Sequence, residues 1–161
     1  VFQRSTEIHN GQWNKTAQGS REVRAKKLGI VGYGNIGKQL SILAEALGMD
    51  VYYYDVEDKL ALGNATKVGT LEELLSISDA VSLHVDDNPA NKNFFGAKEI
   101  SQMKDGAVLV NLARGFVVDI PALVSALKSG KLAGAATNIK PKIINERVED
   151  GVQYSFRICS Y

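Results

Sequence analysis

The chain has 161 residues, of which 45% are hydrophobic and 23% charged, with a formal net charge of +1 and one cysteine, Cys159. This composition predicts a soluble globular domain, excludes an internal disulfide and a cysteine metal cluster, and argues against a surface for nucleic acid or an anionic membrane. No apolar run is long enough to span a membrane and no signal peptide is recognisable, so we expect a cytoplasmic protein.

The polar leader, residues 1–25, has no clear periodicity. It predicts the end of a helix followed by a linker, with Trp13 as a packing anchor. From Lys27 onward, short apolar runs alternate with helical segments. That pattern continues to residue 137, and the tail 138–161 lacks it. We therefore predict one folded domain over 26–137, flanked by the leader and a divergent tail.

The folded domain begins with the predicted strand KLGIV (27–31) and a helix over 36–48. The steps between Ile36, Leu40, Leu43 and Leu47 are helical, and they predict the face that packs on a sheet. The segment DVYYY (50–54) is rich in residues that favour strands.

The second half of the domain repeats this alternation. Thr70 and Glu73 form a capping-box pattern at the start of a short helix. Pro121 and Gly130 stand at the start and end of another, the usual asymmetry of helix termini. The helix that contains Pro121 and Gly130 spans 119–130. The remaining predictions are a helix at AKEISQM (97–103) and strands at DAVSLHV (79–85), AVLVNL (107–112) and LAGAAT (132–137).

Apolar strands that alternate with helices indicate a parallel sheet covered on both faces. The predicted fold class is therefore α/β, a doubly wound parallel sheet of the Rossmann type in a single domain.

A glycine-rich loop, GYGNIG, joins the first strand to the first helix. Gly32 suits a tight turn, Gly34 lets the backbone approach a pyrophosphate, and Gly37 lets helix and strand pack closely. The free N–H groups at the helix N-terminus favour phosphate. This pattern predicts a dinucleotide site.

The second predicted strand ends at Asp55, roughly 20 residues beyond the loop, where an acid binds the adenosine ribose. Its charge would repel the extra phosphate of NADP, so NAD is the predicted cofactor. Two alternatives stay open on these residues alone: a tight-turn loop beside a surface acid, and a methyltransferase of related fold.

Longer motifs carry a more specific signal. The stretches HNGQWNK, KKLGIVGYGNIGKQL, LGNAT and GAKEISQMKDGAVLVNLARGFVVDIPALVSAL resemble the D-isomer-specific 2-hydroxyacid dehydrogenases, over about residues 4–136. In that family such a segment is the NAD-binding domain, inserted in a separate substrate domain. The resemblance implies an enzyme that oxidises a small 2-hydroxy acid.

The resemblance also assigns roles by position. Arg114 matches the catalytic arginine that binds the substrate's carboxylate and carbonyl, and its planar fork of donors suits a 2-oxo acid. On the residues alone, Arg114 could equally be a surface arginine, and His84 a strand-end histidine with no ligand. The other implied contacts are Asn35 and Ile36 with the pyrophosphate, His84 and Val85 in the cofactor cleft, and Leu112, Ala113 and Arg114 beside the nicotinamide.

The family pattern ends at AATNIKPKII. The family there has a stretch resembling D-V-aromatic-P-x-E-P, whose Glu pairs with a later histidine that moves the alcohol proton. Here Asn138 replaces the Asp, and we keep it among the cofactor-binding residues, while Ile143 replaces the Glu. The histidine would follow Tyr161.

Three functional hypotheses result. The chain is part of an NAD-dependent dehydrogenase that is inactive alone, or it is a non-catalytic NAD-binding or dimerisation module, or it is a degenerate product. The module would form a homodimer or associate with a full-length relative.

Overall fold

The computed structural model describes residues 2–13, 15 and 21–138. Within these residues the strands are β1 (Lys27–Val31), β2 (Asp50–Tyr54), β3 (Thr66–Lys67), β4 (Ala80–Leu83), β5 (Ala107–Asn111) and β6 (Leu132–Thr137). The α-helices are α1 (Phe2–His9), α2 (Asn35–Ala46), α3 (Leu71–Ile77), α4 (Ala97–Gln102) and α5 (Ile120–Lys128). Two short 3-10 helices span Pro89–Asn91 and Gly115–Val117.

The six strands form one sheet in the order β3-β2-β1-β4-β5-β6, and every pairing is parallel. The predicted doubly wound parallel sheet is confirmed. From β1 the sheet grows outward through β2 and β3. The chain then crosses to the other side of β1, where β4, β5 and β6 follow in order. Because ligands of such sheets bind where the strand order reverses, the carboxyl ends of β1 and β4 mark the expected crevice.

Apolar side chains fill both faces of the sheet. Ile30 and Val31 are neighbours in β1 but belong to different buried clusters, because successive strand residues point to opposite faces. The larger cluster includes Leu75, Ile100 and Leu123 from the three later helices. The smaller cluster lies beneath α2 and contains Tyr33 and Tyr53.

The predicted buried face of α2 is wrong. Ile36, Leu43 and Leu47 are 67%, 63% and 61% exposed, and Leu40 is only half-buried. The residues that face the sheet are small, namely Gly37, Ser41 and Ala44. A Cβ at Gly37 would lie 2.4 Å from the Gly32 carbonyl oxygen, so the helix sits too close to β1 for larger side chains. The small residues follow the same helical spacing one position later, and periodicity alone favoured the larger ones.

Other sequence predictions differ in detail. Each predicted strand and helix exists, although most end one or two residues earlier, and β3 was not predicted. The Thr70 hydroxyl caps α3 by accepting the Glu73 N–H at 3.1 Å, whereas the Glu73 carboxylate accepts the N–H of Gly69 rather than that of Thr70. Trp13 is 78% exposed, so its predicted packing role is wrong in this chain. No helix in the described ranges is long and apolar enough to cross a membrane.

Candidate functional site

The glycine loop turns sharply between β1 and α2. Gly32 has a φ of +91°, a left-handed conformation that favours glycine, and a Cβ there would lie 2.6 Å from the His84 carbonyl oxygen. Gly32 and Gly37 are therefore required by the fold itself. Gly34 differs, because a Cβ at this position would meet nothing within 4 Å. Its bare backbone faces open space at the start of the helix.

Asp55 follows β2 and its carboxylate is held in place by two backbone donors. The Tyr33 N–H donates to Oδ2 at 2.7 Å, and the Glu57 N–H donates to Oδ1 at 2.9 Å. The first of these hydrogen bonds ties the acid directly to the glycine loop. The half-buried carboxylate keeps lone pairs for further donors, because each oxygen accepts more than one hydrogen bond.

A cleft of about 320 Å³ lies at this edge of the sheet. Five of the predicted cofactor residues line it: Gly32, Gly34, Asp55, His84 and Val85. Sequence reasoning missed other lining residues, among them Val56, Glu57, Lys59, Asp86, Asn91 and Phe94. They belong to the loops that follow β2 and β4. Their position after strands that end at the same edge was the available signal, since parallel strands place such loops side by side.

His84 closes one side of the cleft. Its Nε2 lies 2.9 Å from the Ser82 hydroxyl, two residues earlier. Burial lowers the pKa of the His84 imidazole, so the ring is neutral at pH 7. A neutral, half-buried ring can pack against a cofactor without adding charge to the cleft.

A second group of predicted residues forms the turn after β5. The buried Asn111 shapes this turn, because its amide donates to the Arg114 carbonyl at 2.9 Å and accepts the Ala113 N–H at 3.1 Å. Ala113 is consequently buried, while Leu112 and Arg114 extend outward. The Asn138 N–H donates to the Asn111 carbonyl at 3.2 Å, which fixes the end of β6 beside the same turn.

Arg114 has an acidic neighbour within this chain. Its Nε donates to Asp87 Oδ2 at 3.0 Å, and both side chains are more than half exposed. Asp87 comes from the loop after β4, so the ion pair links this loop to the turn after β5.

The predicted cofactor residues thus fall into two groups along one edge of the sheet, those that line the cleft and those that do not. Asn35 and Ile36 begin α2 and are exposed. Neither lines the 320 Å³ cleft, and the same holds for Leu112, Ala113, Arg114 and Asn138. They lie after the carboxyl ends of β1, β5 and β6, at the same edge of the sheet as the cleft. Ile143 lies outside the described residues.

Comparisons with known proteins agree with this geometry. The family model for the D-isomer specific 2-hydroxyacid dehydrogenase NAD binding domain matches residues 1–142. The chain is 60% identical over 149 residues to a D-3-phosphoglycerate dehydrogenase of Haemophilus influenzae, which covers 91% of this chain and 36% of that protein. It is 61% identical over 141 residues to the D-3-phosphoglycerate dehydrogenase of Escherichia coli K12, covering 88% and 34%. The chain spans about a third of the length of these curated relatives.

Solved structures share the fold. An NAD-dependent formate dehydrogenase from Staphylococcus aureus in complex with NAD has a TM-score of 0.75 and 31% identity, covering 86% of this chain and 42% of that one. The pyruvate reductase of Chlamydomonas reinhardtii has a TM-score of 0.78 and 28% identity, covering 92% and 44%. The chain therefore belongs to the D-isomer-specific 2-hydroxyacid dehydrogenase family, whose NAD-binding domain it contains, and its cofactor is NAD.

Proposed function

We propose that this chain is the NAD-binding part of an enzyme that oxidises 3-phosphoglycerate to 3-phosphohydroxypyruvate, the entry to serine synthesis. The names of the two curated relatives described above support this substrate. The NAD-binding domain in this proposal spans residues 26–137. Residues 1–25 lead from an interdomain helix, and 138–161 form a divergent tail.

The observation that carries the proposal is the empty space at Gly34 beside the anchored carboxylate of Asp55. A glycine without neighbours at the N-terminus of a helix leaves the backbone N–H groups accessible to a pyrophosphate. Asp55, which lines the same cleft, then accepts hydrogen bonds from the ribose hydroxyls. The residues present therefore fit an NAD adenosine half.

Each protein group has a defined task in this proposal. NAD supplies the hydride acceptor when bound. The exposed first turn of α2, at Asn35 and Ile36, binds phosphate oxygens through its free N–H groups. Arg114 binds the carboxylate of the hydroxy acid and orients the carbon that loses hydride. Leu112 and Ala113 flank the nicotinamide, and His84 and Val85 form the cleft wall.

Gly34→Ala tests the proposal, because the added methyl group occupies the space assigned to the pyrophosphate. The fold tolerates this change, since φ at Gly34 is −78°. The free energy of unfolding should stay within about 1 kcal/mol of the parent value. NAD affinity, measured by calorimetry, should fall by roughly tenfold or more.

Gly134→Ala is the matched control. It is also a glycine with nothing within 4 Å of an added Cβ, but it lies beside Val108 in the edge strand β6 and does not line the cleft. NAD affinity should not change in this variant. If Gly34→Ala binds NAD as well as Gly134→Ala does, the proposed pyrophosphate site is wrong.

A second candidate is a non-catalytic NAD-binding or dimerisation module. Two observations favour it: an amide, Asn138, stands where the family resemblance implies an acid, and Trp13, Leu43 and Leu47 are exposed. Exposed apolar side chains of this size suit contact with a second copy or a full-length relative.

Two measurements test catalysis and association by this chain. We expect the 161-residue chain to form no NADH from 3-phosphoglycerate. Asn138 and Ile143 supply no carboxylate at the positions of the two acids in the family pattern, and a positioned base typically contributes about 10²–10⁴-fold in rate. NADH formation that disappears in Arg114→Ala would instead support catalysis by this chain. Sedimentation of the parent and of Leu43→Glu tests the homodimer.

A cytoplasmic location and the absence of nucleic-acid binding stay predictions, testable by cell fractionation and by gel shift.

A further inference from the structure

The residue between the first two glycines, Tyr33, points away from the cleft and is completely buried. Its ring stacks on that of Tyr53 in β2, with ring centroids 3.7 Å apart and an interplanar angle of 16°. The two stacked rings therefore pack the glycine loop against the strand that leads to Asp55. Neither tyrosine has a role in the function proposed above.

The hydroxyl groups of both tyrosines bind the segment that follows Asp55. The Leu62 N–H donates to the Tyr33 hydroxyl oxygen at 3.3 Å. The Tyr53 hydroxyl donates to the Lys59 carbonyl at 2.6 Å. The backbone of Lys59 and Leu62 is thus hydrogen-bonded to two buried side chains that stack on each other.

The hydrogen bonds of Tyr33 form a directed chain. The Ser41 hydroxyl donates to the Lys38 carbonyl at 2.7 Å, so it accepts from the Tyr33 hydroxyl, which lies 2.8 Å away. Tyr33 in turn accepts from Leu62. Every polar atom along this path has a partner, and removal of the Tyr33 hydroxyl leaves the Leu62 N–H without its acceptor.

The attached segment forms a wall of the cofactor cleft. Val56, Glu57 and Lys59 line the cleft together with Asp55. Val56 itself is almost fully exposed, so the segment has little apolar burial to hold it in place. The backbone N–H of Tyr33 also donates to Asp55. Tyr33 therefore contacts Asp55 through its backbone N–H, and through its hydroxyl it contacts Leu62, in the segment that continues from these lining residues.

We propose that Tyr33 and Tyr53 are positioning residues that hold segment 56–62 as a fixed wall for the adenosine end of the cofactor. This inference rests on the proposed assignment of the cleft to the adenosine half of NAD. Because this wall is already ordered before the ligand binds, binding does not lose the conformational entropy of ordering it. Affinity is therefore higher. Both tyrosines are buried and neither lines the cleft, so their effect on binding is indirect.

Tyr33→Phe tests the proposal, because it keeps the ring stack and removes only the hydroxyl. Affinity for NAD and for AMP, measured by calorimetry, should fall by the same factor, roughly 3- to 10-fold, the equivalent of one hydrogen bond. Affinity for nicotinamide mononucleotide should not change, since the wall does not reach that end. Amide hydrogen exchange at Leu62 should become faster.

Ser41→Ala is the matched control, because it removes the other hydroxyl of the same buried pair while leaving Tyr33 able to accept from Leu62. Its loss of stability should resemble that of Tyr33→Phe, but NAD affinity should change by less than about twofold and Leu62 exchange should stay slow. Tyr53→Phe provides a second test at the Lys59 attachment, with the same expected losses for NAD and AMP.

Two results would overturn the inference: unchanged AMP affinity in both tyrosine variants, or equal losses in Ser41→Ala and Tyr33→Phe. Failure of the unaltered chain to bind AMP or NAD would instead count against the proposed cofactor cleft. In that case Leu62 exchange in Tyr33→Phe still decides whether the tyrosines hold the segment.

Discussion

Arg114 Nε and Asp87 Oδ2 lie 3.0 Å apart at the surface, and they form an ion pair between the loops after β5 and β4. Arg114 is also the residue to which we assign the carboxylate of the substrate. The Asp87 carboxylate therefore uses one donor of the guanidinium fork that the ligand requires. It orients the fork and also competes with an incoming carboxylate.

Asp87→Asn should make Arg114 a better anion site. Because exposed ion pairs contribute about 0.2–1 kcal/mol, oxalate affinity should rise by up to about fivefold. The Arg114 Nε–H resonance during an oxalate titration measures this directly. Asp105→Asn is the control, since that acid pairs with Lys131 at the opposite edge of the sheet, with a separation of 2.8 Å. Equal oxalate affinities in the two variants would show that Asp87 does not compete.

Asp55→Ala should weaken NAD binding by about 1–3 kcal/mol, because the ribose hydroxyls lose a charged acceptor and the N–H groups of Tyr33 and Glu57 lose theirs. The same change should reduce the preference for NAD over NADP, since it removes a negative charge near the extra phosphate. Calorimetric titration with both cofactors checks this. A parent chain that binds NADP as tightly as NAD would contradict the ribose role of Asp55.

Leu43→Ala and Leu109→Ala should differ greatly in stability. Leu43 is largely exposed on α2, so its truncation should lower the free energy of unfolding by about 0.5 kcal/mol or less. Leu109 is buried in the middle of β5, and its truncation should cost about 2–5 kcal/mol. Urea unfolding of the two variants provides the comparison. A large loss in Leu43→Ala would indicate that a partner covers this face in solution.

Asp79 should make stability depend on pH. Burial by itself raises the pKa of its carboxyl, but the Lys27 N–H at 2.9 Å and the Lys104 ammonium at 3.0 Å outweigh burial, so this pKa lies below its usual 3.8. A lowered folded pKa stabilises the protein at pH values above 3.8, and this stabilisation disappears as pH falls through the folded pKa.

Asp79→Asn should therefore lower the free energy of unfolding at neutral pH and have a smaller effect well below pH 3.8. Urea unfolding at the two pH values measures the difference. Asp105→Asn is the control variant, because that carboxylate is almost fully exposed and its ion pair with Lys131 contributes little to stability. An equal effect of Asp79→Asn at both pH values would mean that its charge has no part in stability.

Much of this protein could be predicted without tertiary information. The alternation of apolar runs and helical periods determined the parallel sheet, because strands covered on both faces must be apolar throughout. The glycine loop and Asp55 predicted a dinucleotide site, because the turn, the helix N-terminus and the acid occur at the spacing that a dinucleotide-binding βαβ unit requires. These signals are local, and local signals can be read along a chain.

The tertiary structure alone decided which face of α2 is buried and how the edge of the sheet is organised. Helical spacing fits Leu43 and Ala44 equally well, and only the short distance from α2 to β1 selects the small residues. Arg114 meets Asp87, and Tyr33 meets Leu62, across gaps of 27 and 29 residues in the sequence. Such contacts arise because parallel strands bring distant loops to one edge, and the pairing of side chains there depends on distances that no sequence pattern records.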